Sequence, residues 1–446
     1  MKTFPKGGVH PEENKLAHSA KLELFPKPKQ AVLYASQHLG APATVVVQKG
    51  DEVKIGQLLA KGEAFVSANL HSPYAGTVTK IEPCTDLSGY KKMAIFIDVK
   101  EEDEWLEDID TSDTLKKEIT LSSQEIIEKI KEKGVVGLGG ACFPTHVKLM
   151  VPPGKKAEYL LINAAECEPY ISIDNRIMIE RTEEFLTGCC ILKQAVGLDK
   201  VHIGVEHNKK EAIACLQAKA AEFPGVIVEV LRTKYPQGAE KQLIKSVTGR
   251  EVPSGKLPID VGCIVDNVST ALAVYEAVQK NKPLIGQYMT YSGKSVKEPR
   301  NFYIRFGTPI EEIIAYNGGL PEDTGKVICG GPMMGKAMAN LKVYTTKGFS
   351  SLLVINQKEA KRWTESNCIR CGKCVDACPM GLEPYLLASY SKLNRWDETE
   401  KHHVMDCIEC GCCHFTCPSA RPLLDLIRLG KNRTGGIIRA RQQQKK

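Results

Sequence analysis

Nine of the seventeen cysteines fall between Cys368 and Cys417, and their spacing constrains this chain more than any other feature. The run Cys368-x2-Cys371-x2-Cys374-x3-Cys378-Pro379 recurs as Cys407-x2-Cys410-x2-Cys413-x3-Cys417-Pro418, displaced by 39 positions. Two-residue spacing turns three thiolates of one tight loop toward a single [4Fe–4S] cube, and the fourth, beside proline, ligates the other cube. The spacing therefore predicts one cluster on Cys368, Cys371, Cys374 and Cys417, and a second on Cys407, Cys410, Cys413 and Cys378. Zinc needs four ligands per site, and eight thiolates in this order fit iron–sulfur better. Cys412 is an extra thiol and reads as a non-ligand. The remaining cysteines lack mutual spacing and read as core thiols. Paired clusters form a one-electron relay and require a donor and an acceptor.

The rest of the chain is long enough to supply one of these. It has 446 residues and 43% hydrophobic content, enough for roughly three domains. The opening M-K-T-F-P-K-G-G-V-H has no apolar core and no cleavage site, so it is not read as a signal peptide. No run approaches ~18 apolar residues, so a membrane role is expected through partners. Of the net charge of +7, all lies in the last stretch, Arg428–Lys446, with seven bases and no acid. Such a tail suits nucleic acid, anionic lipid or an acidic partner, or is a disordered end. The disordered end is the reading adopted, and no nucleic-acid role is expected.

Composition changes along the chain set the expected domains. Residues 1–30 read as an extended arm. Residues 31–100 carry short β-rich runs (Thr44–Val47, Thr77–Ile81, Met93–Val99) between glycine turns. Residues 101–113 hold eight acids and no base, so 101–118 reads as a solvated acidic linker. Residues 119–283 alternate strand-like runs (Glu158–Asn163, Val201–Val205, Val226–Leu231) with helical stretches at about 174–197 and 209–222, the pattern of a parallel α/β sheet. Residues 284–356 return to strands and turns and read as a small β-grasp module. Residues 357–430 form a helical cluster domain, with Pro384–Asn394 packing over the clusters, and 431–446 is the basic tail.

Two local patterns point to a cofactor in the α/β region. Residues 134–148 read G-V-V-G-L-G-G-A-C-F-P-T-H-V-K, with Pro144 a helix start. A loop of this kind offers backbone N–H groups to an anion such as phosphate, although a plain tight turn fits as well. The strand Glu158–Asn163 runs into A-A-E-C-E-P-Y, which places Glu166 and Glu168 at the edge where open α/β sheets bind ligands. Two ordinary loop acids are the alternative.

Resemblance narrows these choices. G-D-E-V-K-I-G-Q-L-L-A and H-S-P-Y-A-G-T-V resemble the barrel-sandwich hybrid of lipoyl and biotinyl carriers, without a lysine at the tip between them. That implies a docking module. G-x-G-G-A-x-F-P-T-x-x-K followed by N-A-x-E-x-E-P is similar to the flavin-site signature of the NADH-oxidising subunit of respiratory complex I. So are Tyr235-P-Q-G-A-Glu240 and D-Asn267-V-S-Thr270. The resemblance implies that Gly137, Gly139, Gly140, Lys148, Asn163, Glu166, Tyr235, Gly238, Asn267 and Thr270 line FMN, and that Phe143, Glu168 and Glu240 contact NADH. Ala165, Ala239, Asp266 and His146 depart from that family's pattern. No acid or base is needed for hydride transfer, so no residue is expected to be catalytic in that sense.

The module order, from F-x-x-G-G-V-H-P to the two ferredoxin-like motifs, resembles the RnfC family of the Rnf electron-transport complexes over about residues 4–430. This implies a peripheral subunit on the cytoplasmic side of the cell membrane. It would oxidise NADH at FMN and pass electrons through two [4Fe–4S] clusters to other subunits, with ferredoxin reached through the complex and Na⁺ or H⁺ moved. A soluble or microcompartment flavin diaphorase of the cobalamin-reductase type, which carries the hybrid module after the clusters, is one alternative. A non-catalytic wiring subunit is another.

Overall fold

The computed structural model describes residues 1–444. Its architecture follows from how each segment distributes apolar side chains. In the strand Tyr159–Ala164, Leu160 and Ile162 enter one apolar layer and Leu161 the opposite one. Period-2 alternation with both faces apolar demands cover on both sides. The helices Thr182–Ala195 and Val268–Gln279 cover one face through Phe185, Leu192 and Val274. Glu240–Thr248 covers the other with Leu243 and Ile244. The sheet is wholly parallel, in the order Val226–Leu231, Val201–Glu206, Tyr159–Ala164, Cys263–Asn267. In front of it, Ser123–Glu132 begins with a capping box in which Ser122 and Glu125 satisfy each other's backbone N–H groups.

The hybrid module has a four-stranded sheet, in the order Gln30–Tyr34, Lys91–Val99, Gly76–Thr85, Glu52–Val53, and a three-stranded one of Thr44–Val45, Leu58–Lys61 and Leu70–His71. Its carrier-like tip is exposed at Phe65. The β-grasp module is a six-stranded sheet covered by Ile310–Tyr316, whose Ile310 and Ile313 pack on Phe302, Ile304 and Val354.

Two expectations change. The arm is extended, but it is bonded along its length to other modules. Lys2 bridges Leu231 and Val9 bridges Tyr235. Leu22–Leu24 adds a parallel edge strand to the β-grasp sheet beside Arg300–Arg305. The basic tail is not a disordered end. Leu423–Gln443 is one helix that runs through position 430, so the cluster domain reaches Gln443. Leu423 and Ile427 pack on Leu387 and Ala388 of Pro384–Lys392. Further along, the buried Thr434 hydroxyl meets that of Thr399 at 2.6 Å. Apolar and small side chains on one face, with bases on the other, dock a helix that charge counting alone reads as loose. Lys445 and Lys446 lie outside the described residues.

The acidic stretch has neither helix nor strand through 101–113 and is mostly exposed, yet it is pinned. Ile109 is buried, Asp103 pairs with Arg305 at 2.6 Å, and Asp110 pairs with Lys116 at 2.7 Å and Lys280 at 3.1 Å.

Candidate functional site

The glycine loop is held from both ends. Gly137 N–H donates to the Phe143 carbonyl (2.9 Å), and Leu138 N–H donates to Thr270 Oγ1 (2.9 Å). Between these anchors Gly139 and Gly140 are exposed. Gly140 has φ +117°, and a Cβ there would meet nothing within 4 Å. The loop therefore borders open space, in a conformation that side chains of L-residues rarely adopt.

Across that space lies the C-terminal edge of the sheet. Asn163 and Asn267 are register partners on adjacent parallel strands. Asn267 caps the helix Val268–Gln279, accepting from Thr270 N–H at 3.0 Å. Asn163 donates to the Gly238 carbonyl (2.7 Å). At Gly238 a Cβ would lie 2.2 Å from the Ala165 carbonyl oxygen, so only glycine fits there. Lys148 donates to the Val265 carbonyl (2.6 Å) and to Asp266 Oδ1 (3.1 Å). Burial lowers its affinity for a proton, but the Asp266 and Glu240 carboxylates outweigh that and hold it charged. The other oxygen of Asp266 is buried without a partner. A polar atom stranded in this way at the end of a strand, together with the open space at Gly140 and the amides of Gly139 and Gly140, suits a polar planar ligand with a phosphate tail. FMN has that chemistry, and the residues present fit it.

The structure thus gathers Gly137, Gly139, Gly140, Lys148, Asn163, Gly238, Glu240, Asn267 and Thr270 at one sheet edge. Phe143 is half-buried at the foot of the loop. Glu166, Glu168 and Tyr235 form a second group behind it. Glu166 is buried, accepts from Asp174 N–H (2.8 Å), and pairs with Lys209 (3.2 Å) and Lys15 (3.6 Å). Glu168 accepts from the amides of Met333 (3.0 Å) and Met334 (2.8 Å), so its carboxylate faces the β-grasp loop. Burial pushes it up to about 7, against those two bonds. The Tyr235 hydroxyl donates to the Cys410 carbonyl at 2.8 Å, which joins this group to the cluster domain.

Several residues here gave no signal in the sequence reading. Lys15 reaches from the arm to the carbonyls of Glu166 (2.8 Å), Glu168 (2.8 Å) and Ile171 (2.5 Å). Lys209, Glu206 and the buried Asp174 complete the ionic cluster. Glu206 ends the strand Val201–Glu206, so the sheet-edge rule that picked out Glu166 could have found it and Lys209.

In the cluster domain, Cys378 stands with Cys407, Cys410 and Cys413 around one enclosed cavity walled by Leu382, Leu387, Leu424 and Ile427. Cys412 is buried at the same wall. Burial pushes the thiols of Cys378, Cys407 and Cys413 up. Free thiolates are disfavoured in such a cavity, and iron would supply the compensating charge. Cys374 and Cys417 are half-buried, whereas Cys368 and Cys371 are exposed. Donor type, number and apolar walls fit [4Fe–4S] cubanes.

Comparison with known proteins agrees with this layout. Family models match in chain order: the RnfC barrel sandwich hybrid domain (residues 2–102), the Nuo51 FMN-binding domain (130–276), the SLBB domain (289–337) and the 4Fe-4S dicluster domain (367–420). The C component of the proton-translocating ferredoxin:NAD(+) oxidoreductase complex of Clostridium ljungdahlii is 44% identical, over 98% of this chain and 95% of that one. The chain belongs to the RnfC family of ion-translocating oxidoreductase complexes. Another member of this RnfC family, from the Na(+)-translocating ferredoxin:NAD(+) oxidoreductase complex of Acetobacterium woodii, is 42% identical over 96% of each chain. The C component of the ion-translocating oxidoreductase complex of Rhodobacter capsulatus is 38% identical over 86% of this chain and 74% of its own. A crystal structure of NAD+-reducing [NiFe]-hydrogenase in the H2-reduced state shares the fold over 70% of this chain and 60% of that one, at TM-score 0.50 and 17% identity. No helix among the described residues is long and apolar enough to cross a membrane.

Proposed function

We propose that this chain is the NADH-oxidising, electron-relaying subunit of a membrane-bound complex that couples electron transfer between NADH and ferredoxin to Na⁺ or H⁺ movement. It is peripheral to the membrane, on the cytoplasmic side. FMN supplies the conversion of a two-electron hydride into single electrons, and two [4Fe–4S] clusters carry those electrons.

The chain's own residues position and tune. The amides of Gly139 and Gly140 would receive the phosphate end, while Asn163, Asn267 and Thr270 fix the sheet edge. Lys148 keeps a positive charge beside Asp266 and Glu240. Phe143 and Glu240 border the nicotinamide approach. Cys378, Cys407, Cys410 and Cys413 hold one cluster, and Cys368, Cys371, Cys374 and Cys417 the other.

The observation that carries the reading is the Tyr235 hydroxyl, 2.8 Å from the Cys410 carbonyl. It fastens the flavin-site loop to a ligand loop of the enclosed cluster within one chain. The hybrid module also precedes the clusters, which favours this reading over the diaphorase. Iron-reconstituted chain supplied with FMN should show a flavin spectrum bleached by NADH, followed by loss of cluster absorbance. Absence of both flavin binding and NADH-dependent cluster reduction would sink the proposal.

A further inference from the structure

The two cysteine motifs are near-copies in backbone and opposites in surroundings. Arg370 and Glu409 occupy the same place, and both have φ +56°. Gly372 (φ +77°) and Gly411 (φ +79°) follow, each opening a short helix, Lys373–Asp376 or Cys412–Phe415. In the second motif the face that carries Ile408, Glu409 and Gly411 is covered. Ile408 packs among Tyr235, Ala377 and Met333. Glu409 pairs with Arg428 (3.1 Å) and Lys431 (3.0 Å), and Arg428 also donates to the Met334 carbonyl (2.9 Å). A Cβ on Gly411 would lie 3.0 Å from the Met333 carbonyl oxygen, so the β-grasp loop comes close to the backbone there.

The equivalent face of the first motif is bare. Ile369 is 68% exposed, and Trp363, six positions earlier in the same segment, is 75% exposed. A Cβ on Gly372 would meet nothing within 4 Å. All of 361–373 is exposed, and 361–372 has no helix or strand. The segment is nevertheless fixed in place: Ser366 N–H donates to the Ser419 carbonyl (3.0 Å), and Ser419 Oγ to the Asn367 carbonyl (3.0 Å). Its charge is reversed relative to its twin. Arg370 stands where the second motif has Glu409, and among the described residues neither it nor Lys373 has an ion-pair partner. Lys361 adds to the same sign, whereas Arg362 is paired with Asp425 (3.0 Å) and Glu365 with Lys392 (3.7 Å) and Arg421 (3.8 Å). Exposed apolar side chains bordered by unpaired bases mark an interaction surface.

We infer that this face, built on Trp363, Ile369, Arg370, Gly372 and Lys373, docks the redox subunit that exchanges electrons with this chain. That subunit presents an acidic rim around an apolar centre. The contact repeats, between chains and with charges reversed, the one that the second motif makes within the chain. Cys368 and Cys371 are the exposed ligands at this face, so the cluster assigned to them is the one a partner can approach. The inference rests on the functional reading above and adds to it the exit surface and the chemistry of its partner.

The test uses the full, iron-loaded chain and membranes that contain the remaining subunits but lack this one. Co-sedimentation is measured across a salt series. Liposomes with anionic lipid serve as the second arm. R370E/K373E and, separately, W363S should each weaken retention on the membranes at least ten-fold. The charge variant should also flatten the salt dependence. K297E/K342E on the β-grasp module, at two exposed lysines, should bind as wild type. Iron content per chain reports assembly of each variant, and Trp363 is too exposed for its loss to unfold the domain. Wild-type retention by R370E/K373E and W363S overturns the inference. So does equal loss with K297E/K342E, or equal binding to liposomes. NADH bleaching of the isolated wild-type chain is scored separately, so a failure of the functional reading is distinguished from a failure of the docking face.

Discussion

Replacing Lys15 with methionine keeps the alkyl stem and removes the ammonium that closes three backbone carbonyls and offsets Glu166. The bonds to Glu166 (2.8 Å), Glu168 (2.8 Å) and Ile171 (2.5 Å) are all lost together. A buried acceptor left without its donor costs about 1–3 kcal/mol, and breaking a buried ion pair about 3–5 kcal/mol. These do not add fully, because Lys209 remains 3.2 Å from Glu166 and retains part of the compensation. The expected total is about 3–5 kcal/mol, concentrated in the 166–171 segment. A chain of several modules does not unfold in one step, so local opening is the proper readout. Hydrogen exchange over residues 164–175 should accelerate by about two to three and a half orders of magnitude, since about 1.4 kcal/mol is a factor of ten. Flavin retention should fall with it. Exchange within about three-fold of wild type would refute the argument that this arm residue holds the acidic loop.

Other outcomes follow from the same geometry. Burial raises Glu206 to about 7, against Lys15 and Lys209, from an ordinary carboxylate value near 4.5. The folded chain then binds this proton more tightly than the unfolded one, so its stabilising effect is full below about pH 4.5 and is lost as pH rises through about 7. Glu206→Gln should flatten the decline of melting temperature between those limits, and parallel curves would count against it. Gly140→Val places a branched side chain at φ +117° in the open space, so flavin retention should drop sharply while circular dichroism stays unchanged. Cys412→Ser should keep full iron content, whereas Cys410→Ser should lose iron; equal losses would make Cys412 a ligand. Gly430→Leu drives a side chain toward Ser391, whose Oγ already lies where a Cβ would be 2.1 Å away. It should lift the terminal helix and lower iron retention, read by iron assay after dialysis.

What the sequence made legible was local. The α/β strands were readable because Leu160, Leu161 and Ile162 alternate between two apolar layers within six residues. The cluster ligands were readable because chelation fixes spacing along the chain. The flavin edge needed both a glycine loop and a family likeness, since Asn163 and Asn267 meet only through strand register. Contacts that span the chain were not readable. Lys15 acts on carbonyls more than 150 positions away, and nothing around it marks it. The terminal helix was hidden by its charge. Its docking depends on Gly430 and Thr434, small residues whose value appears only against Ser391 and Thr399. Sequence reading also placed Glu168 at the nicotinamide and did not anticipate the Met333 and Met334 amides that engage it.

The course of the N-terminal arm bears on how the molecule is made. Residues 2–24 are synthesised well before their partners, Leu231, Tyr235, Ala377 and Arg300–Arg305. The arm therefore cannot complete its pairing until synthesis has passed residue 377. Gly8 N–H bonds the Ala377 carbonyl at 3.0 Å, one residue before the ligand Cys378. A segment made early is thus completed late, closing over a turn whose shape is set by the residues around the metal. A tag or fusion that delays this step would leave each module individually sound and the whole slow to mature.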